Sequence, residues 1–407
     1  MTLACLFVAA LEIVAPMGSD PVPLISDGQR AVLTKATLAE REAVFDQDQR
    51  NGNVIRNDPY WRKPLPLVFR WKATEGEKGP WEILLAKNPD LSDARQFLFT
   101  TADVDAATGR ATGSDAERNE LRQVLGCLNL EIGTRYYWRV TGNVTCGKFA
   151  HARICDCANR RPTVTSEIAS FVTEDLAPRW IEIEGRVGNF RDLGGRTVAS
   201  GQRVRQGLIY RSQGVNDNSI DGVAKGKSRL TMSDVEYLTE TLGIKTDLDL
   251  RSYVEVAGLN GVSPLGRDIL YVNRPSQCYT GIFSTEGKRT MAENFRLFLE
   301  RKNYPILFHC IGGADRTGSL AYVLNGVLGV DRQGLETDWE STFYPDIPDQ
   351  RHANEPNYWC RESHFTTGFS RYGDEKSTWN ERIVLYLKDC GITDAEIETF
   401  REIMLER

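Results

Sequence analysis

Cys310 and Arg316 stand with five residues between them in the stretch His309-Cys310-Ile311-Gly312-Gly313-Ala314-Asp315-Arg316-Thr317-Gly318. A thiol near its free pKa is mostly protonated. At a helix N-terminus beside a guanidinium its pKa falls to roughly 3.5–7.5, which makes a nucleophile at neutral pH. The Arg316 guanidinium is a planar fork suited to two oxygens of one phosphoryl group. Thr317 has a hydroxyl to donate to the sulfur. Asp315 has a carboxyl that can protonate a leaving oxygen and then activate water. His309 suits positioning the loop through hydrogen bonds better than acting as the base. Gly312 and Gly313 let the backbone curl, so the amides of Ile311, Gly312, Gly313 and Ala314 can converge on an anion. These residue types describe a phosphate pocket with a thiol at its floor.

Such a loop needs a strand before it and a helix after it. Ile306-Leu307-Phe308 reads as a short buried strand leading in. Behind the loop, Leu320, Ala321, Val323, Leu324, Val327 and Leu328 recur at helical spacing, which predicts a helix from near Arg316. Its N-terminal amides and dipole favour an anion. Further strands are expected over 208–211, 244–250 and 268–272, and helices over 291–298, 379–387 and 394–405. Ser233 with Glu236, and Thr393 with Glu396, form capping-box patterns. Strands alternating with helices predict an α/β domain: a central, mostly parallel sheet flanked by helices, with the loop beyond the carboxyl end of a central strand.

Two more segments stand upstream. One is Asn189-Phe190-Arg191-Asp192-Leu193-Gly194-Gly195 followed by Gly207-Leu208-Ile209-Tyr210-Arg211-Ser212. The other is Asp247-Leu248-Asp249-Leu250-Arg251-Ser252 with Glu255. With them, the loop resembles the signature of cysteine-dependent protein tyrosine phosphatases, in particular an atypical microbial branch whose loop reads His-Cys-x-x-Gly-Lys-Asp-Arg-Thr-Gly. That branch includes enzymes acting on phosphotyrosine, phosphoserine/threonine and phosphoinositides, and the matching segments lie within about 181–344. The resemblance implies hydrolysis of phosphate monoesters through a cysteinyl-phosphate on Cys310, with protein phosphotyrosine or a small phosphate ester as substrate, dual specificity within the branch, and neither cofactor nor metal. Asp192 and Arg251 are expected to support the site, more as scaffold than as chemistry, and Glu255 likewise. Ala314 replaces the branch's lysine, a cation associated with headgroups bearing several phosphates, so singly phosphorylated substrates are favoured. A phosphoinositide or inositol-phosphate phosphatase is the rival within the enzymes. Outside them the rival is an inert phosphate-ester binding or adhesion protein. A rhodanese-type sulfur carrier has a shorter loop without the Asp-Arg-Thr-Gly tail.

The 407 residues suffice for two or three domains. A net charge of -6 argues against general nucleic-acid binding. Leu3 to Ala15 is apolar enough for the core of a signal peptide within 1–19 but too short to span a membrane. No Lys or Arg precedes it and Glu12 interrupts it. An export signal, giving a periplasmic or secreted protein, and an ordinary N-terminal helix of a cytoplasmic one stand level. A charged helix is expected near 38–46. From Trp61 onward the texture is that of an all-β sandwich: alternating runs at 67–71, 81–85, 97–99, 135–140 and 168–172 with turn residues between them. The run Gly133-Thr134-Arg135-Tyr136-Tyr137-Trp138-Arg139-Val140 resembles late strands of fibronectin type III modules, whose partner here is unknown. Residues 108–119 read as a loop. Cys127, Cys146, Cys155 and Cys157 do not form a zinc pattern; they are disulfide candidates if exported and free thiols otherwise. The expected division is an N-terminal segment 1–56, a β-sandwich module 57–175 and a phosphatase-like domain 176–407. Residues 216–229, with Lys225, Lys227 and Arg229, and residues 343–377, rich in aromatic residues, are candidates for the substrate rim. In the second of these, His352 and His364 have no neighbours in sequence that complete a metal-ligand set.

Overall fold

Alternating aromatic and polar residues become strands in the first part of the chain, and apolar runs between helical periods become strands in the second. In the computed structural model, which describes residues 11–52, 54–55, 57–73, 80–99, 120–143, 163–216, 229–343 and 368–406, two units are distinct: 1–24 with 64–175, and 25–63 with 176–407.

The first unit contains strands β1 (Leu11–Ala15), β2 (Pro21–Val22), β3 (Val68–Ala73), β4 (Trp81–Ala86), β5 (Arg95–Phe99), β6 (Glu120–Val124), β7 (Arg135–Gly142), β8 (Val164–Thr165) and β9 (Ala169–Thr173). They form one sheet in the order β1-β3-β6 and another in the order β2-β9-β7-β4-β5, with β8 on β7. Aromatic residues of the two sheets meet: Phe69 lies 4.6 Å from Trp138 and Trp71 lies 5.3 Å from Trp81, ring centre to ring centre and edge to face. The Trp138 Nε1–H donates to the Pro16 carbonyl at 2.8 Å. Residues 11–15 belong to a run that the sequence presents as signal-like or helical; instead they pair antiparallel with β3. An apolar run this short has no period that separates strand from helix. Residues 1–10 lie outside the described ones, as do 108–119, Cys146, Cys155 and Cys157. The Cys127 thiol donates to the Pro64 carbonyl at 3.0 Å.

The second unit contains α1 (Asp27–Leu33), α2 (Leu38–Arg50), β10 (Arg191–Asp192), β11 (Ile209–Ser212), α3 (Met232–Glu236), β12 (Thr246–Asp249), α4 (Tyr253–Val256), β13 (Leu270–Asn273), α5 (Thr285–Leu297), β14 (Ile306–His309), α6 (Asp315–Leu328), α7 (Arg332–Glu340), α8 (Trp379–Asp389) and α9 (Asp394–Met404). Its sheet runs β10-β11-β14-β12-β13. The last four are mutually parallel, and β10 adds an antiparallel edge, so the sheet is mixed. β14 is central and wholly buried, as its unbroken apolar run requires. α6 follows it into the core, where a Cβ on Gly326 would lie 2.2 Å from Ile383 Cδ1, so a larger residue there would force the Ile383 side chain of α8 to shift.

Three local expectations shift. Thr231 and Asp234, not Ser233 and Glu236, cap α3, because Asp234 also accepts the Glu184 N–H at 2.8 Å. Phe369, expected at the substrate rim, is fully buried among Phe283, Tyr322, Trp379 and Tyr386. Residues 25–63 group with the second unit, where Ile25, Val32, Leu33, Phe45, Trp61 and Trp180 share one buried cluster. The Trp180 Nε1–H donates to Gln29 Oε1 there at 2.7 Å. Among the described residues no helix is long and apolar enough to cross a membrane.

Candidate active site

β14 ends at His309, so the next residue, Cys310, leaves the sheet at its centre and is 1% exposed. Backbone hydrogen bonds from both flanks tie down the start of the loop: Leu250 N–H to the His309 carbonyl at 2.9 Å and Gly214 N–H to that of Ile311 at 3.0 Å. Gly313 has φ +65°, and a Cβ there would lie 2.4 Å from the Ser212 carbonyl oxygen, so the turn demands glycine. Asn189 Nδ2 donates to the carbonyls of Gly312 at 3.2 Å and Gly313 at 2.9 Å, and Arg211 Nη2 donates to that of Gly313 at 2.7 Å. In a trans peptide the N–H opposes the C=O. With these carbonyls held from behind, the N–H groups of Gly313 and Ala314 are left for the other face. Every other α-helix among the described residues has a side-chain N-cap, from Ser26, Thr37, Thr231, Ser252, Ser284, Asp331, Thr378 and Thr393. α6 has Ala314 at its N-cap position and no such hydrogen bond. Its first amides are therefore available to a ligand anion.

The charges around the loop are paired in an orderly way. Arg316 donates through both terminal nitrogens to Glu255, at 2.8 and 3.1 Å. Burial opposes the Arg316 charge, but the Glu255 hydrogen bonds and the neighbouring Cys310 sulfur raise its pKa above the ordinary range. Glu255 is itself fixed by the capping box of α4, accepting the Ser252 N–H at 2.6 Å. His309 lies fully buried with Nε2 2.9 Å from Asp247 Oδ1 and Nδ1 3.9 Å from Asp249 Oδ1. Burial favours its neutral form, and the two carboxylates outweigh it and raise its pKa. The Tyr279 hydroxyl donates to Asp315 Oδ1. Thr317 is buried, and its hydroxyl has no hydrogen-bond partner among the described residues. Gathered in one place are a buried thiol, the uncapped amides of α6, a guanidinium held by Glu255 and a carboxyl group on the first turn of the helix.

Residues 181–406 match the sequence model of the tyrosine phosphatase family, over half of the chain. The chain belongs to the tyrosine phosphatase family. A Cupriavidus necator protein named "Putative tyrosine-protein phosphatase" is 30% identical in an alignment 191 residues long, which covers 39% of this chain and 64% of that one. The chain thus spans less than two thirds of this relative's length. Among solved structures, the core catalytic domain of PP-IP phosphatase SIW14 from S. cerevisiae is 18% identical, covering 38% of this chain and 78% of that one at a TM-score of 0.25. P. aeruginosa TpbA is 16% identical, covering 50% and 89% at a TM-score of 0.24.

Around the phosphatase loop, the two supporting residues read from sequence lie outside the cradle. Asp192 accepts from Arg179 at 3.0 Å and from the N–H groups of Gly194 and Gly207 at 2.8 and 2.6 Å, bracing the turns beside β10. Arg251 chelates Asp249 through Nε, at 2.8 and 3.1 Å, and donates to Asn216 Oδ1 at 2.7 Å. Asn189, Arg191 and Arg211 sit in the upstream motifs, yet the sequence says nothing of what they grip. The two arginines converge on Asp338 of α7. Arg191 Nε reaches Asp338 Oδ1 at 3.0 Å, and Arg211 Nη1 reaches Oδ2 at 2.6 Å. Arg191 Nη1 also donates to Asn189 Oδ1. Asp338 and Tyr279 carry no sequence signal at all. Arg229 donates to Gln213 Oε1 at 3.4 Å; Lys225 and Lys227 lie outside the described residues, as do His352 and His364. Among the described residues no group of three or more His, Cys, Asp and Glu is placed to hold a metal ion.

Proposed function

We propose that the protein is a cysteine-dependent phosphatase that hydrolyses phosphate monoesters, phosphotyrosine in proteins foremost. The observation that carries this reading is Cys310 at the carboxyl end of the central strand, facing the one uncapped α-helix N-terminus among the described residues, with Arg316 locked by Glu255. In the first step the Cys310 thiolate attacks phosphorus in line. The S–P bond forms, the P–O bond to the leaving group breaks, and Asp315 gives that oxygen its proton. Loop amides and Arg316 hold the three equatorial oxygens as charge spreads over them. In the second step water attacks the cysteinyl-phosphate, Asp315 takes a proton from it, and the thiolate leaves with the Thr317 hydroxyl as its donor. His309, held between Asp247 and Asp249, positions the start of the loop.

The first unit fits a fibronectin type III-like β-sandwich, and the domain division proposed is a β module ending near 175 followed by the phosphatase domain. Support comes from the two aromatic-filled sheets and from Tyr136, whose hydroxyl accepts the Glu131 N–H at 2.9 Å, like the tyrosine corner of such folds.

The test is phosphate release in EDTA from a phosphotyrosyl peptide and from a phosphoinositide, with Cys310→Ser beside the wild type. Release from the peptide, abolished by Cys310→Ser, is the expected result. Preference for the lipid would transfer the substrate assignment, and appreciable turnover by Cys310→Ser would sink the mechanism.

A further inference from the structure

Tyr279 is an aromatic residue in a left-handed backbone conformation, φ +52°, where a bulky side chain is an outlier. Such strain persists only when the surroundings over-determine it, and it gathers at functional sites. Here three contacts hold it. Its N–H donates to Ser319 Oγ at 3.1 Å, and Ser319 in turn donates to the Asp315 carbonyl at 2.8 Å, one turn back along α6. Its ring meets Trp339 of α7 edge to face at 5.9 Å. Its hydroxyl then reaches Oδ1 of Asp315. The backbone of Tyr279 is thus pinned to the same helical turn that carries the carboxyl group its side chain addresses. A tyrosine placed only to fill space needs neither the strained backbone nor the hydroxyl.

We propose that Tyr279 is a positioning residue for Asp315: by donating to Oδ1 it fixes the plane of the carboxyl group and makes Oδ2 the oxygen that gives and takes the proton. This rests on the reading of Asp315 as acid and base. In the first step the Oδ2 proton passes to the leaving oxygen as the P–O bond breaks. In the second, Oδ2 receives a proton from the attacking water as the P–S bond breaks. A carboxyl group free to rotate would present either oxygen, at a cost in the fraction of encounters correctly oriented.

Dependence on the leaving group separates this role from a structural one, because a strongly acidic alcohol departs without a proton and a weakly acidic one does not. The probes are phenyl phosphate and 2,4-dinitrophenyl phosphate, with the full-length protein, Tyr279→Phe, Asp315→Asn and the double variant, each checked by thermal melting. Asp315→Asn is expected to slow phenyl phosphate by about 100-fold or more beyond its effect on the activated ester. Tyr279→Phe is expected to show the same selectivity at about tenfold, and to add little on top of Asp315→Asn. If Asp315→Asn slows both esters alike, the acid assignment fails and this proposal falls with it. If Asp315→Asn is selective while Tyr279→Phe slows both esters alike or neither, the acid stands and the tyrosine proposal is overturned. Should Tyr279→Phe not fold, Ser319→Ala, which unpins the same turn, is judged by the same two ratios.

Discussion

Glu255 grips the Arg316 guanidinium with both carboxylate oxygens, so in the proposed mechanism the fork is oriented before any phosphate arrives. A fork held in advance loses less freedom on binding, and the benefit grows as the phosphoryl oxygens spread in the transition state. Glu255→Gln keeps the shape but removes the charge. It is expected to lower kcat/KM by roughly 10- to 100-fold, the value of a charged hydrogen bond of about 1.5–3 kcal/mol, which steady-state kinetics on a phosphotyrosyl peptide would read. The pair also leaves a signature in acid. Burial works to raise the Glu255 pKa, but the hydrogen bonds from Arg316 and Ser252 win and hold it at about 2 against an ordinary 4.5. A depressed carboxylate stabilises the fold fully above the unfolded value and loses that contribution as pH falls toward the folded one. Between about pH 4.5 and 2, the melting temperature of the wild type should therefore fall more steeply than that of Glu255→Gln. Parallel curves would show the pair to be thermodynamically idle.

α7 does more for the site than its nine residues suggest. Asp338 receives Arg191 and Arg211, with Arg196 at 3.6 Å, and so anchors the two side chains, Asn189 through Arg191 and Arg211 itself, that hold the loop carbonyls from behind. Burial opposes the Asp338 charge, yet the three guanidiniums hold its pKa well below the usual range. Burial and the neighbouring Arg191 push Arg211 down to about 9, against the pull of Asp338. Asp338→Asn would leave buried arginines without their counter-charge, which costs about 3–5 kcal/mol. The melting temperature should drop by roughly 6–20 °C, and kcat should fall even where the protein remains folded; an unchanged kcat in the folded variant would detach α7 from the loop. The elements themselves were partly legible. The strand before Cys310 and the helix after it come from local apolar runs, and the glycines between them from the turn they make. Asp338 and Tyr279 were not, because a buried partner many residues away leaves no period or spacing in the sequence. The cap of α3 is hidden for a different reason: two overlapping patterns compete there, and the Glu184 amide decides between them from another segment.

Residues 25–63 and 176–407 form one unit although the strands β3 to β9 lie between them in sequence. Composition does not reveal this, since a charged helix such as α2 looks the same on a solvated surface as against a neighbour. One side chain marks the difference. Arg41 of α2 is 1% exposed, and its guanidinium holds Glu340 Oε2 at 2.5 Å and Glu336 Oε2 at 2.6 Å, both on α7. The N-terminal helices thus fasten the helix that anchors the phosphatase loop. Burial chiefly, with the second carboxylate, pushes Glu340 up to about 7 even with Arg41 bound to it. Removing the cation should therefore leave two carboxylates facing each other in a poor solvent. Arg41→Met is expected to destabilise the unit by about 3–5 kcal/mol, read as a lowered urea midpoint at pH 8. Lowering the pH to 5 should narrow the gap to the wild type, because Glu340 then takes up a proton and no longer needs the arginine. Adding Glu340→Gln to Arg41→Met should restore part of the loss at pH 8, a coupling that only contacting residues produce. If the single variant unfolds with the wild type at both pH values, the N-terminal helices are a passive wrapping on α7 and the loop's support begins at Asp338.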